Sequence, residues 1–419
     1  MSGAAPSHAL AEDLFRRESV RMLSALTRVL GPDHLALAED VVQEALLTAL
    51  QAWRFKLPDD PEAWLVKTAR NRAIDVLRRD RRLQQLCTDA AAQEQLFAGL
   101  DDAFGLEASA TDQLAMMFSC CHDELSQETQ VTLILRFLCG LGPREIARAF
   151  LVDTQTVDRR IHRGRERLAA AGHLHDVRQR AEVEARLPSV LRALYLLFNE
   201  GYHGSADENP VRASICAEAI RLTDLLLVSA LTASPEVHAL DALFCLNAAR
   251  LSTRLDADLI FVPLAEQDRT RWNTELIARG VAHLASAAEG NTVTRWHLEA
   301  GIACEHTVAA SLGATHWARI VDLYDALLAF APGPIVELNR ALAVAELRGV
   351  SAGLHALNAL RDSARLETYP FYWAARADLE RRGGQRTAAR AMYQRAVDVA
   401  RNYAERAAYQ RCLAQLADT

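Results

Sequence analysis

The segment TVDRRIHRGRERLAAAGH, residues 156 to 173, holds Arg159, Arg160, Arg163, Arg165 and Arg167 in a chain whose formal net charge is −7. Guanidinium groups at this density suit one chemistry above others, forked hydrogen bonding to phosphate oxygens and to base edges. At helical spacing Arg159, Arg160 and Arg163 lie close together on one side, and Thr156 opens the same helix with a hydroxyl that can reach a backbone phosphate. A second basic stretch, residues 61 to 82, carries Lys67, Arg70, Arg72, Arg78, Arg79, Arg81 and Arg82 against Glu62, Asp75 and Asp80, a local excess of four positive charges. Lys67, Asn71 and Arg78 share one side of it, with Arg70 at the edge. The Asn71 amide can donate and accept at once, as reading a base edge requires. Trp53, Phe55 and Trp64 flank RFKLPDD, where aromatic faces beside basic groups can stack on an unpaired base. The plainer alternatives are a solvated arginine face, partly neutralised by Asp158 and Glu166, a solvated asparagine, and aromatics buried in a core.

These side chains need helices to hold them. QVTLILRFLCGLGPREIARAFLVDTQTVDRRIHRGRERL predicts a helix ending near Gly140, a second from Pro143, a turn at Val152-Asp153 and a third from Thr154. Ile146, Ala147 and Phe150 with Val157 and Ile161 supply the apolar seam of a helix-turn-helix, and the partner helix would then set Arg144 and Arg148 on a phosphate backbone. Upstream, EDLFRRESVRMLSALTRVLG is amphipathic and stops at Gly31-Pro32. LAEDVVQEALLTALQAW follows, with Val41, Val42, Ala45, Leu46 and Leu50 as the expected buried stripe. Pro61 suits the first position of the basic helix, Asp59 or Asp60 its cap, and Leu65, Ala69, Ala73 and Val76 its inner face.

Helical periodicity and an Ala, Leu, Arg and Glu-rich composition predict an all-α protein, and 419 residues predict more than one domain. The expected division is 12–84, an acidic linker at 85–111, a helix-turn-helix domain at 112–172 and a helical array at 185–419. Between residues 83 and 112 stand six carboxylates, Asp89, Glu94, Asp101, Asp102, Glu107 and Asp112, and no Lys or Arg. In the array a shift of 34 aligns Leu338 with Tyr372, Ala343 with Ala377 and Gly349 with Gly383, the period of tetratricopeptide hairpins; it is readable over 316–415. The glycines would turn the chain between paired helices. No apolar run is long enough to span a membrane and the N-terminus lacks a secretory core, so a cytoplasmic protein is expected. Of eight cysteines only Cys120-Cys121-His122 cluster, and completing a zinc site with His173 or His175 gives the wrong ligand spacing; no metal or other cofactor is expected. Nor is an enzyme, since no HExxH, P-loop, dinucleotide loop or Ser/His/Asp motif occurs. Glu200 and His203 in FNEGYHGS read as part of a helix-terminating turn.

AEDVVQEALLTALQAW, PEAWLVKTARNRAIDVLRR and GPREIARAFLVDTQTVDRRIHRGRERL together resemble the promoter-melting and promoter-recognition domains of bacterial RNA polymerase sigma factors of the extracytoplasmic-function type. The resemblance covers residues 12 to 172. LYLLFNEGYHGS and EQDRTRWNTELIARG are similar to the helical C-terminal extension of one subgroup. The resemblance implies core RNA polymerase and promoter DNA as partners. It implies that the 38–53 helix docks on the polymerase β′ coiled coil through Asp40 and Glu44, with Glu39 at the rim. It also implies that Asn71 reads the minus-ten element, that the 54–60 loop captures a flipped base and that the 154–168 helix reads the minus-thirty-five element. The extension would control activity from within the chain, through a protein or intramolecular partner. Two departures stand out: Asp158 takes a place where the family often has a basic or neutral residue, and the linker lacks any basic residue. Six unopposed carboxylates would suit the polymerase's positive cleft. A helix-turn-helix regulator with a fused helical sensor domain is the alternative, and it leaves the first domain and the linker without a role.

Overall fold

The computed structural model describes residues 8–54, 57–79, 98–99, 106–150, 152–175, 177–203, 211–361 and 363–417. The protein is all-α: its described residues form helices and their connections, with one isolated antiparallel bridge between Leu255 and Phe261. The chain divides into a compact unit of residues 1–196 with 229–232 and a second of 197–228 with 233–419.

The first unit opens with α1 (His8–Leu30), α2 (Leu35–Ala52) and α3 (Pro61–Arg79). Gly31 ends α1 at φ 88°, a left-handed conformation that glycine adopts without Cβ strain, and Pro32 starts the turn into α2. The inner seam of α2 is Leu35, Ala38, Val41, Val42, Ala45 and Ala49. Val41, Val42 and Ala45 were expected there; Leu46 is half-buried and Leu50 is 51% exposed. The small alanines let α2 approach its neighbours closely, which narrows the buried stripe and leaves Leu50, one residue round the helix from Ala49, outside it. On α3 the buried face is Leu65, Ala69, Ala73 and Leu77, with Val76 half-buried at its edge. The Ala63 amide donates to Asp60 Oδ1 at 2.9 Å, which caps the helix at the expected carboxylate.

Next come α4 (Leu106–Cys120), α5 (Gln127–Phe137), α6 (Pro143–Phe150) and α7 (Thr154–Ala171), then α8 (Arg180–Tyr202), which begins in this unit and ends in the second. Most of the acidic stretch lies outside the described residues, but α4 begins within it, at Leu106. Asp112, expected to be unopposed, is buried on α4 and accepts from Arg28 Nε of α1 at 2.7 Å. Such a carboxylate could not stay ionised inside the protein without a cation beside it.

In the second unit α9 (Ala213–Val228), α10 (Pro235–Ala248), α11 (Thr274–Ala287), α12 (Arg295–Val308), α13 (Trp317–Phe330), α14 (Pro334–Arg348), α15 (Val350–Asn358), α16 (Pro370–Arg382), α17 (Arg386–Asp398) and α18 (Tyr403–Ala417) pack on their chain neighbours. The positions aligned by the 34-residue shift have matching environments, since Leu338 and Tyr372 are buried, as are Ala343 and Ala377. Gly349 turns the chain between α14 and α15 at φ 91°; at the later hairpin Gly384, rather than Gly383, is left-handed, at φ 80°. Of the repeat aromatics Tyr372 and Tyr393 are core and Tyr403 is exposed.

Candidate nucleic-acid and partner interfaces

The helix-turn-helix is set by local chemistry at each end. Gly140, at φ 63°, carries the chain out of α5, and α6 begins at Pro143 as the sequence predicts. Asp153 caps α7: its Oδ1 accepts from the Thr156 amide at 2.7 Å and its Oδ2 from the Thr156 hydroxyl at 2.9 Å. The Thr156 amide and hydroxyl hold the Asp153 carboxyl below its usual range. Thr156 is therefore half-buried with its hydroxyl committed to the cap, while its position still opens the helix.

Ile146, Ala147, Val157 and Ile161 close the seam; the Phe150 and Arg148 side chains, both part of the expected arrangement, lie outside the described residues. Gly164 faces α5 so closely that a Cβ there would overlap the fully buried Leu133, with Leu133 Cγ 2.8 Å away.

The five arginines of α7 divide. Arg165 pairs with Glu39, and Arg167 pairs with Glu124 at 2.8 Å. Arg159 and Arg163 are exposed, and Arg160 is half-buried beside them. Arg144 on α6 is exposed as well. The outward set is thus Arg144, Arg159 and Arg163 with Arg160 at its edge, and Asp158 is exposed among them. On α3, Lys67, Asn71 and Arg78 are exposed and Arg70 is half-buried, opposite the buried stripe. These side chains form an amide-and-cation surface with a packed helix beneath it.

Trp53 is half-buried between Phe15, 5.2 Å away between ring centroids, and Trp64, at 5.7 Å. Two of the three expected aromatics therefore belong to a ring cluster at the foot of the 54–60 loop; Phe55 lies outside the described residues. Phe15 was not anticipated, since α1 gave no local cue that its ring would meet α2.

The acidic helix differs most from expectation. Asp40 and Glu44 are exposed on α2, but Glu39 is only 6% exposed. It accepts from Arg136 Nη2 at 2.9 Å and from Arg165, so it ties α2 to α5 and α7 instead of standing at an outer rim. Its sequence separation from those partners, 97 and 126 residues, leaves no local signal for the contact. Glu44 pairs with Arg72 of α3. Beside the exposed carboxylates stand Leu47, 57% exposed, and Leu50. Spacing of four and three places Asp40, Glu44, Leu47 and Leu50 along one outer face. Single exposed leucines are ordinary, but two in line with carboxylates on one helix make a surface suited to a partner.

Among the described residues no group of three His, Cys, Asp or Glu side chains is placed to hold a metal ion. Cys120 and Cys121 are buried thiols, and burial pushes Cys121 up to about 12. No helix of the described residues is long and apolar enough to cross a membrane.

Three family models match the chain: sigma-70 region 2 over residues 14–83, sigma-70 region 4 over 115–168, and a family of unknown function (DUF6596) over 186–288. The uncharacterized protein R00370 of Rhizobium meliloti (strain 1021) is 36% identical over 382 residues, 89% of this chain and 88% of that protein. The protein named ECF RNA polymerase sigma factor SigE, of Mycolicibacterium smegmatis, is 26% identical over 157 residues, 38% of this chain and 59% of that protein. No solved structure matches.

Proposed function

The chain belongs to the RNA polymerase sigma factors of the extracytoplasmic-function type, and from that premise we propose how its parts divide the work of transcription initiation. As an alternative sigma factor it binds core RNA polymerase and directs initiation at specific promoters. The proposal assigns melted promoter DNA to the α3 surface of Lys67, Arg70, Asn71 and Arg78. It assigns upstream duplex to Arg144, Arg148, Thr156, Arg159, Arg160 and Arg163. Thr156 acts there by setting the first turn of α7, because its hydroxyl is spent on the cap.

Core polymerase falls to the outer face of α2, through Asp40 and Glu44 with Leu47 and Leu50. Glu39 contributes indirectly, by fixing α2 against α5 and α7. The carrying observation is the segregation of charge: cations and an amide face outward on α3 and α7, while carboxylates and leucines face outward on α2. A protein with a net charge of −7 has weak general affinity for DNA, which scales with phosphates neutralised. Specific binding would then depend on assembly with polymerase.

The proposal gives the second unit a regulatory role, acting on transcription through a protein or intramolecular partner; its stacked helical hairpins, a form that leaves one surface free for a partner, support that reading. The protein is read as non-enzymatic and cytoplasmic. Run-off transcription with purified core polymerase tests the central claim, with initiation at one defined site expected only when the protein is added. A chain ended at residue 203 tests the extension. It is expected to bind core and to transcribe at a changed level, and transcription identical to the full chain under all conditions would refute regulation. Residue 203 is the better cut than one near 180, because α8 begins in the first unit, where Arg186 donates to the Phe118 carbonyl at 3.2 Å.

A further inference from the structure

The two segments of the extension, FNEGYHGS and EQDRTRW, lie outside the surfaces proposed above for polymerase and DNA, and Tyr202 of the first and Arg269 and Trp272 of the second all lie in the second unit. Tyr202, from the first, is buried, and the guanidinium of Arg254 lies over its ring, 3.7 Å from the centroid. Arg250 Nη2 donates to the Tyr202 hydroxyl at 2.8 Å. Arg269, from the second motif, sits 4.6 Å from the centroid of buried Trp272 and donates to the carbonyls of His306 and Ala309. Trp272 Nε1 donates to Thr253 Oγ1 at 3.0 Å, and that hydroxyl donates to the Arg250 carbonyl at 3.0 Å. The Arg250 and Arg254 guanidinium groups therefore meet at Tyr202, and Arg269 lies near enough to Arg250 for the two charges to repel, with His306 close to both.

None of the three faces a carboxylate among the described residues. Every other half-buried arginine of the unit does: Arg212 has Glu200, Arg221 has Glu218, Arg279 has Asp241, Arg295 has Glu299, Arg340 has Asp325 and Arg376 has Glu380. Nε of Arg250, Nε of Arg254 and Nη2 of Arg269 are buried without a hydrogen-bond partner, and so is Nδ1 of His306. Burying cationic groups is costly unless a counter-charge meets them. His306 adds no fourth positive charge; burial, then Arg250 and Arg269, push it down to about 4, so it stays neutral at physiological pH. Three like charges, a phenol and a neutral imidazole form the complement of an oxyanion carrying hydroxyl groups.

We propose that Arg250, Arg254 and Arg269, with Tyr202 and His306, form a receptor for a small oxyanion, a phosphoryl or carboxylate group on a metabolite-sized ligand. The burial of Tyr202 and Trp272 beneath the guanidinium groups favours a compact ligand over an extended chain.

Equilibrium dialysis of the full-length protein with labelled inorganic phosphate, and separately with succinate, tests this at constant ionic strength. Saturable binding of one anion per chain is expected, weakened at least tenfold by Arg254→Gln or Arg269→Gln and partly retained by Arg254→Lys. Arg271→Gln, on an exposed arginine beside the site, and Arg163→Gln, on the DNA surface, should bind as the unaltered protein does. Tighter phosphate binding assigns a phosphoryl ligand, and tighter succinate binding a carboxylate. Circular dichroism confirms that each variant is folded; should Arg254→Gln fail to fold, Arg254→Lys and Arg269→Gln carry the test. Absence of saturable binding of both probes, or equal binding by folded Arg254→Gln and Arg269→Gln, would overturn the proposal. So would loss of binding in Arg163→Gln with retention in Arg254→Gln. Because the readout is binding alone, its failure is separate from failure of the sigma-factor assignment.

Discussion

Glu39 on α2 accepts from Arg136 on α5 at 2.9 Å, with Arg165 of α7 on its other carboxylate oxygen. Helix α2, proposed to face polymerase, and the helix-turn-helix thus share a carboxylate that is almost fully withdrawn from water. Removing one partner from a buried pair leaves the other charge uncompensated. Glu39→Ala is expected to destabilise the first unit by about 2–4 kcal/mol, seen as a lower urea midpoint. A double-mutant cycle with Arg136→Ala should show coupling above about 0.5 kcal/mol. Additive effects would mean that the pair contributes nothing.

Gly164→Ala should destabilise the helix-turn-helix, because the new methyl would overlap the fully buried Leu133 side chain. Overpacking of this kind costs about 1–3 kcal/mol. The check is thermal unfolding of Gly164→Ala alone and combined with Leu133→Ala; partial recovery in the double variant identifies the clash as the cause.

The pH dependence of the first unit should carry a signature of Asp112. Burial is the main cause that raises its carboxyl to about 6, and Arg28 only partly opposes it. The folded value lies above the ordinary one near 3.9, so the folded state binds more protons between them. This contribution is fully present below about pH 4 and is lost as pH rises through 6, an effect of about 3 kcal/mol at most. Asp112→Asn should flatten the unfolding free energy over that interval. A profile unchanged by the substitution would assign the dependence to another group.

On α2, Leu47→Ala and Leu50→Ala should weaken co-purification with core polymerase while shifting the unfolding midpoint little, since both side chains already face water. Asp40→Lys with Glu44→Lys should weaken it further by reversing charge, although Glu44 also gives up Arg72. Full retention of core binding by the folded double lysine variant would move the docking surface elsewhere.

The two surfaces proposed for DNA should fail differently. Arg159→Ala with Arg163→Ala is expected to reduce use of the upstream promoter element. Asn71→Ala should leave that recognition intact and impair strand opening, read as weaker permanganate reactivity of promoter thymines. Normal reactivity with Asn71→Ala would count against that division.

What could be read from the sequence was what adjacent residues decide. The Asp60 cap of α3, the Pro143 start of α6, the Thr154 start of α7 and the seam of Ile146, Ala147, Val157 and Ile161 depend on spacings within one or two turns, and each lies where it was expected. Glu39 escaped because its partners are far along the chain, and a carboxylate on a helix edge looks the same whether it meets water or arginine. Leu50 was misplaced because a periodic stripe has an edge, and only the alanines on its other side set where the edge falls. Arg165 and Arg167 had no assigned role beyond the charge of the segment, because their partners, Glu39 and Glu124, are brought to them only by the fold. The cluster of Arg250, Arg254 and Arg269 could not be seen at all, since no periodic rule connects Tyr202 to Trp272.

The split between the two sides of α7 bears on how such a factor can change over time. Val157, Ile161, Gly164, Arg165, Arg167 and Leu168 maintain the fold, while Asp158, Arg159 and Arg163 face outward. Only Thr156, which completes the cap, and half-buried Arg160 lie between the two sets, so on the proposed reading substitutions at Asp158, Arg159 and Arg163 can explore new promoter sequences at little cost in stability. Duplicated copies of the gene could diverge in target choice while keeping the same scaffold, so a cell could acquire new regulons by point mutation alone.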